Sequence, residues 1–72
     1  MTNNFAYNLR FLRKVRGLNQ TQLGQIVGKS VKTVSAWENE TRLPLVEDVY
    51  VLAQYFGIDM ETLYFGDVHA GI

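Results

Sequence analysis

The residues able to do covalent or acid–base chemistry are few and poorly placed for it. The 72-residue chain has no cysteine and a single histidine, His69, so thiol nucleophiles, disulfides and thiolate metal sites are excluded. The closest carboxylates, Glu47 with Asp48 and Asp59 with Glu61, fall where two helices are expected to begin. Dipole compensation and capping account for them there. The stretch Gly24-Gln25-Ile26-Val27-Gly28-Lys29-Ser30 looks like a phosphate-binding P-loop, yet it is one residue short of the required spacing and follows no strand. The chain therefore reads as a non-enzyme with no cofactor and no metal.

The cations are more informative. All seven bases (Arg10, Arg13, Lys14, Arg16, Lys29, Lys32 and Arg42) precede position 43, accompanied only by Glu38 and Glu40, which leaves +5 in residues 1–42. Residues 43–72 carry Glu47, Asp48, Asp59, Glu61 and Asp67 without a base, leaving −5. A net charge of zero thus conceals a dipole with one end suited to a polyanion, although chance segregation would give the same split.

The elements that must position these charges are read from apolar spacing. Phe5, Leu9 and Leu12 make one face of a helix over about 4–16, with a second stripe of Tyr7, Phe11 and Val15 beside it. Leu23, Ile26 and Val27 define a short helix over 21–27, with Asn19 and Gln22 spaced as a capping box. Ser30 can cap a third helix running to about Glu38, with Val34 and Trp37 inward. A polar loop over 39–43 precedes Pro44, after which Val46, Val49, Leu52, Ala53 and Phe56 mark a fourth helix. Asp59 can cap a fifth through Met60, Leu63 and Tyr64. Clean period-two alternation is absent, so the fold class is all-α, a compact four- to five-helix bundle. One domain over 1–66 and a flexible tail over 67–72 are expected. The polar start Met1-Thr2-Asn3-Asn4 has no signal pattern, and no apolar run approaches the roughly 18 residues of a membrane span. A cytoplasmic location without membrane partners is expected.

Helices two and three, short and joined at Gly28, have the helix-turn-helix pattern. The run Arg13-Lys14-Val15-Arg16-Gly17-Leu18-Asn19-Gln20-Thr21-Gln22-Leu23-Gly24, then Val27-Gly28-Lys29-Ser30, Thr33-Val34-Ser35-Ala36-Trp37-Glu38-Asn39 and Leu52-Ala53-Gln54-Tyr55-Phe56-Gly57-Ile58, resembles the lambda-repressor-like, or Xre-type, helix-turn-helix family. The resemblance implies a sequence-specific regulator of transcription, a repressor in the simplest case, whose partner is double-stranded DNA. It implies base contacts from Val31, Lys32 and Ala36, with Thr33 and Ser35 as lesser candidates. Phosphate contacts fall to Asn19, Gln20, Ser30, Asn39 and Arg42, and a partly buried ion pair joins Arg13 to Glu38. Glu40 stands where the family usually has glycine, and Leu45 where it often has a capping serine.

Large apolar residues are in excess for so small a core. Phe11, Val15, Val51 and Tyr55 occupy positions usually charged in the family, and Tyr64, Phe65, Val68 and Ile72 add to them. A homodimer contact through Val51, Tyr55, Tyr64 and Phe65 is expected, so that two copies read a near-palindromic site; the alternative is a tail folded back over Phe11 and Val15. An antitoxin-like module on the same fold, with a regulatory protein as its partner and weak DNA binding, is the second functional reading.

Overall fold

The computed structural model describes residues 3–69. Met1 and Thr2 of the polar start, and residues 70–72 of the expected tail with its apolar Ile72, lie outside them. Five helices follow in chain order: α1 Phe5–Val15, α2 Gln20–Val27, α3 Val31–Glu38, α4 Val46–Phe56 and α5 Met60–Phe65. None is long and apolar enough to cross a membrane. The core draws on every helix: Phe5, Leu9 and Leu12 of α1, Leu23 of α2, Val34 and Trp37 of α3, four residues of α4 and Leu63 of α5. Trp37 lies edge-on to Phe5, with ring centroids 6.1 Å apart, an arrangement that places ring edge against ring face.

Local chemistry sets each boundary. Asn19 and Gln22 form the reciprocal capping box of α2: the Gln22 N–H donates to Asn19 Oδ1 at 2.8 Å, and the Asn19 N–H donates to Gln22 Oε1 at 2.8 Å. Ser30 Oγ accepts from the Thr33 N–H at 3.2 Å and opens α3. Asp59 Oδ1 accepts from the Thr62 N–H at 2.7 Å, a bond that holds the Asp59 carboxyl below its usual range. At α4, Leu45 has no acceptor to offer, so only the reciprocal half of a box forms, its N–H donating to Asp48 Oδ2 at 3.1 Å. The other Asp48 oxygen pairs with Lys29 Nζ at 3.0 Å, fastening the α2–α3 turn to the start of α4.

That turn is tight because of two glycines. Gly28 ends α2 in the left-handed region, at φ 74°, where only glycine sits without a side-chain penalty. Gly24 is under the backbone of the turn: its carbonyl accepts from the Lys29 N–H at 2.8 Å, and a Cβ there would stand 2.4 Å from the Lys29 carbonyl oxygen. The residues that look like a P-loop are thus the packing seam between α2 and α3.

The first and last helices are fastened by Asn8, which is fully buried. Its Nδ2 donates to the carbonyls of Leu63 (2.8 Å) and Gly66 (3.0 Å), which α5 leaves unpaired at its C-terminus. Its Oδ1 accepts from the Val68 N–H at 3.3 Å. Residues 67–69, expected to fray, therefore return to the body: Val68 is buried, and His69 meets Phe11 edge-on at 4.8 Å. Val15 stays exposed, so the fold-back reaches only half of the stripe it was expected to cover.

Gly24→Ala is expected to destabilise the domain by at least about 2 kcal/mol, because the clash is with backbone rather than a yielding side chain. A drop in denaturant midpoint, with the unfolding slope unchanged, checks this; an unchanged midpoint contradicts the seam.

Candidate nucleic-acid interface

α3 has a buried side and an open side. Val34, Trp37 and Glu38 face inward. Val31, Lys32, Ser35 and Ala36 face outward and, with Gln20, Asn39 and Thr41, line an open depression of about 450 Å³. Five of the residues expected to meet bases or phosphates thus share one surface with Gln20, which lies at the start of α2. Thr33 lies off this depression, its hydroxyl 3.1 Å from that of Ser30. The side-chain acceptors of Asn19 and Ser30 are already occupied as caps, so what remains free at these two helix starts is the leading N–H groups and the positive end of each dipole. Asn39 Nδ2 reaches Ser35 Oγ at 3.3 Å, which holds it beside α3. Thr41 is a residue that sequence reasoning missed.

Two of the seven cations are taken up in ion pairs, Lys29 with Asp48 and Arg13 with Glu38. Among the described residues Lys32 and Arg42 are in no ion pair, and both are exposed. They are the cations left at the open side of α3 and the loop that follows it.

The Arg13–Glu38 contact fixes that side from behind. Arg13 Nε donates to Glu38 Oε2 at 2.7 Å and Nη2 to Oε1 at 2.9 Å, a two-bond fork. Nη1 donates to the Leu18 carbonyl at 2.8 Å. Gln20 Nε2 donates to Glu38 Oε1 at 3.1 Å, so Gln20, on the rim of the depression, is held by the same carboxylate. Glu38 is only 4% exposed. The hydrogen bond from Arg13 to Glu38 raises the guanidinium pKa further, against the opposing effect of burial. Arg10 Nη1 donates to the Glu38 carbonyl at 3.3 Å, placing a second cation at the C-terminal end of α3.

The loop after α3 starts with Glu40 in the left-handed region, at φ 63°. Its N–H donates to the Trp37 carbonyl at 3.3 Å and the next, of Thr41, to the Ala36 carbonyl at 3.0 Å. This is the Schellman ending, whose left-handed position favours glycine. Glu40 thus combines a strained backbone with a negative charge at the edge of an otherwise cationic surface. Among the described residues no group of carboxylates and imidazoles is gathered as a metal site.

The helix-turn-helix family model matches residues 9–63. The chain belongs to the lambda-repressor-like (Xre-type) helix-turn-helix family. A curated member, the transcriptional repressor RstR of the cryptic phage CTXphi from Vibrio cholerae, is 34% identical over 59 residues, covering 82% of this chain and 53% of its own. The chain therefore spans about half the length of that relative. The P22 c2 repressor, solved in complex with synthetic operator 9T, is 28% identical with a TM-score of 0.81, covering 88% of this chain and 96% of that one. The fold also occurs within larger chains: an HppE chain solved with Co(II) and substrate matches with 26% identity and a TM-score of 0.73, over 85% of this chain and 34% of its own. The family fold, expected from the sequence, is the fold observed.

The four residues expected at a dimer contact do not come together. At about 100° per residue, Val46 and Tyr55 project from opposite flanks of α4. Tyr55 is half-buried beneath Arg16, whose guanidinium carbon is 5.2 Å from the ring centre, and Val51 faces the α2 turn beside Val27 and Lys29. Tyr64 and Phe65 line a different depression, with Val46, Val49 and Met60. The period-four spacing of Val51 and Tyr55 identified a shared flank of α4 but not which neighbour that flank would meet.

Arg13→Met is expected to destabilise the domain by about 3–5 kcal/mol by leaving a buried carboxylate without its partner, whereas the double variant Arg13→Met, Glu38→Leu recovers most of that loss. Chemical denaturation of the two singles and the double tests this; additive losses would show that the two side chains act independently. Glu40→Gly is expected to raise stability by about 1 kcal/mol by relieving the left-handed strain, read as a higher denaturant midpoint.

Proposed function

We propose that the chain is a sequence-specific DNA-binding regulator of transcription, a repressor, that acts as a dimer and inserts α3 of each copy into adjacent major grooves. The observation that carries this reading is the open side of α3. It presents Val31, Lys32, Ser35 and Ala36 on one surface, with Gln20 and Asn39 at its rim and no ion pair at Lys32. A B-form major groove, about 12 Å wide, admits a helix of this kind. In this reading Lys32 donates to guanine O6 and N7, while Val31 and Ala36 pack on thymine methyls. Ser35, and Thr33 from the margin, make lesser base contacts. Gln20, Asn39 and Arg42 hold phosphate through side chains. Asn19 and Ser30, whose side chains cap, contribute through the helix starts they open, where free N–H groups point at an anion.

The kinship to RstR and to the operator-bound P22 c2 repressor supports the regulatory reading. Action in the cytoplasm, on chromosomal or phage DNA, follows from the same reading. An antitoxin-like module with a protein partner is the second reading. Glu40 favours it, since a carboxylate beside the phosphate-facing loop opposes tight binding.

Selection from a randomised duplex library, followed by anisotropy across a salt series, tests the proposal. A two-fold-related motif is expected, with log affinity falling by about 0.9 per log salt for each phosphate neutralised. Lys32→Ala is expected to lose preference at one base position at a cost of about 1–3 kcal/mol, while Arg42→Ala weakens all sequences alike and reduces the salt slope by about 1 per half-site. Glu40→Gly is expected to tighten binding at low salt. Recovery of no motif, with weak binding even at low salt, sinks the regulator reading and favours the second.

A further inference from the structure

Lys29 sits at the entrance to α3 but its charge is directed elsewhere. It directly precedes Ser30, the residue that caps α3, and its N–H donates to the Gly24 carbonyl at 2.8 Å, which fixes its backbone. Its ammonium lies 3.0 Å from Asp48 Oδ1. There Lys29 and Asp48 line a depression of about 260 Å³ on the α4 side of the turn, with Val27, Trp37 and Val51. Neither lines the open depression on α3. The two partners differ in freedom. The Asp48 side chain is only 9% exposed, whereas that of Lys29 is 37% exposed. Asp48 is also held through its second oxygen, which accepts from the Leu45 N–H at 3.1 Å. The acid is fixed in the fold, and the base comes to it on a flexible four-carbon stem.

We propose that Asp48 stands in for a DNA phosphate: it holds Lys29 back from the duplex and so sets the affinity of the domain for DNA of any sequence. The inference rests on the DNA-binding reading above and identifies a residue, outside the reading surface, that governs how strongly that surface binds.

Position comes first. In that reading the leading N–H groups of α3 point at a phosphate. A phosphate held there lies against the backbone that follows Ser30, whose Cα is about 3.8 Å from that of Lys29. A lysine stem spans such a gap, so an unpaired ammonium at this place would add one phosphate contact per chain.

Energetics keep it from doing so. Drawing Lys29 away would leave a nearly buried carboxylate with the Leu45 N–H as its one remaining partner, and a buried charge that loses its partner is costly. A phosphate offers the ammonium no greater charge than the carboxylate it already has. The pair therefore persists on the duplex, and Lys29 is silent in binding. Phosphate contacts carry no sequence information, so withholding one lowers affinity for all sequences alike and leaves the base preferences of Lys32 unaltered.

Anisotropy with duplex DNA across a salt series, on the whole chain, tests this. Asp48→Asn removes the charge and keeps an acceptor for the Leu45 N–H. It is expected to tighten binding at least about threefold at low salt and to steepen the fall of log affinity with log salt by about 0.9 per chain bound. Asp48→Ser, which also keeps an acceptor, is expected to act in the same way. Combining Asp48→Asn with Lys29→Met is expected to restore the wild-type affinity and slope, because the freed ammonium is gone. Glu47→Gln makes the same change in net charge one residue away, but Glu47 is in no ion pair among the described residues, so the slope is expected to stay unchanged. Circular dichroism confirms that each variant is folded. A wild-type slope in Asp48→Asn and Asp48→Ser overturns the inference, as does an equal steepening in Glu47→Gln, which would reduce the effect to net charge. A double variant with a shallower slope than the wild type also overturns it, because Lys29 would then already touch phosphate beside Asp48. The phosphate contact needs no chosen sequence, so the series is run on a randomised duplex as well as on a selected one. A chain that selects a motif but shows no steepening in Asp48→Asn sinks the inference and leaves the DNA reading intact. Steepening without any selected motif supports the withheld lysine and sinks the sequence-specific reading.

Discussion

A carboxylate almost entirely removed from water is the constraint on which the rest of this domain depends. Glu38 is 4% exposed, and an ion in that position is tolerable only with its oxygens fully engaged. Arg13 from α1 and Gln20 from α2 engage them, so one side chain of α3 holds three helices. The pair adds little to net stability, since burying both charges costs about as much as their attraction returns. Its effect is positional. Apolar side chains allow a helix to slide by fractions of a turn at small cost, whereas a fork with bonds of 2.7 and 2.9 Å does not. The open side of α3 is therefore set in register from behind, together with Gln20 on its rim.

Other contacts extend the same logic from α3 to the rest of the chain. Gly24 lets the backbone of the α2–α3 turn lie directly on α2, and Lys29 carries that turn across to Asp48 and so to α4. Asn8 closes the body by pairing the final carbonyls of α5 and the N–H of Val68. A chain of this length buries only about 60% of its unfolded surface and has no disulfide to compensate. Directional bonds at a few buried sites therefore determine how its small apolar core is arranged. The result is a rigid frame with one helix face left open.

Much of this was legible in the sequence. The five helices, the Asn19–Gln22 box and the caps at Ser30 and Asp59 follow from local spacing because each is a short-range pattern of few residues. What was not legible depends on distant partners. Asn8 reads as a polar residue on an amphipathic helix, and only the arrival of α5, some 55 residues later, makes it a clamp. That clamp holds Val68 in the core, next to His69, which meets Phe11. The left-handed backbone at Glu40 was signalled only indirectly, by a glycine usual in the family at that place; the reason, a Schellman ending to α3, is visible only in the carbonyl bonds. Val51 and Tyr55 share a flank of α4 as their spacing requires, but spacing carries no information on which flank meets Arg16 and which meets α5.

The electrostatic plan follows from where the ion pairs fall. Arg13, buried, and Lys29, at the surface, are paired with acids, which leaves the exposed, unpaired bases Lys14, Arg16, Lys32 and Arg42 on α1, the residue that ends it, α3 and the loop after α3. The exposed acids Glu47, Asp59, Glu61 and Asp67 stand on α4, α5 and the segments beside α5, while Glu40 stands among the bases in the loop after α3. A uniformly basic domain of this size would be drawn to a polyanion more strongly, but two such domains would repel each other when set close together on it. A dipolar domain of zero net charge carries less of that repulsion. Neutrality of the whole chain is thus compatible with the proposed DNA-facing side, because Lys32 and Arg42 are in no ion pair among the described residues.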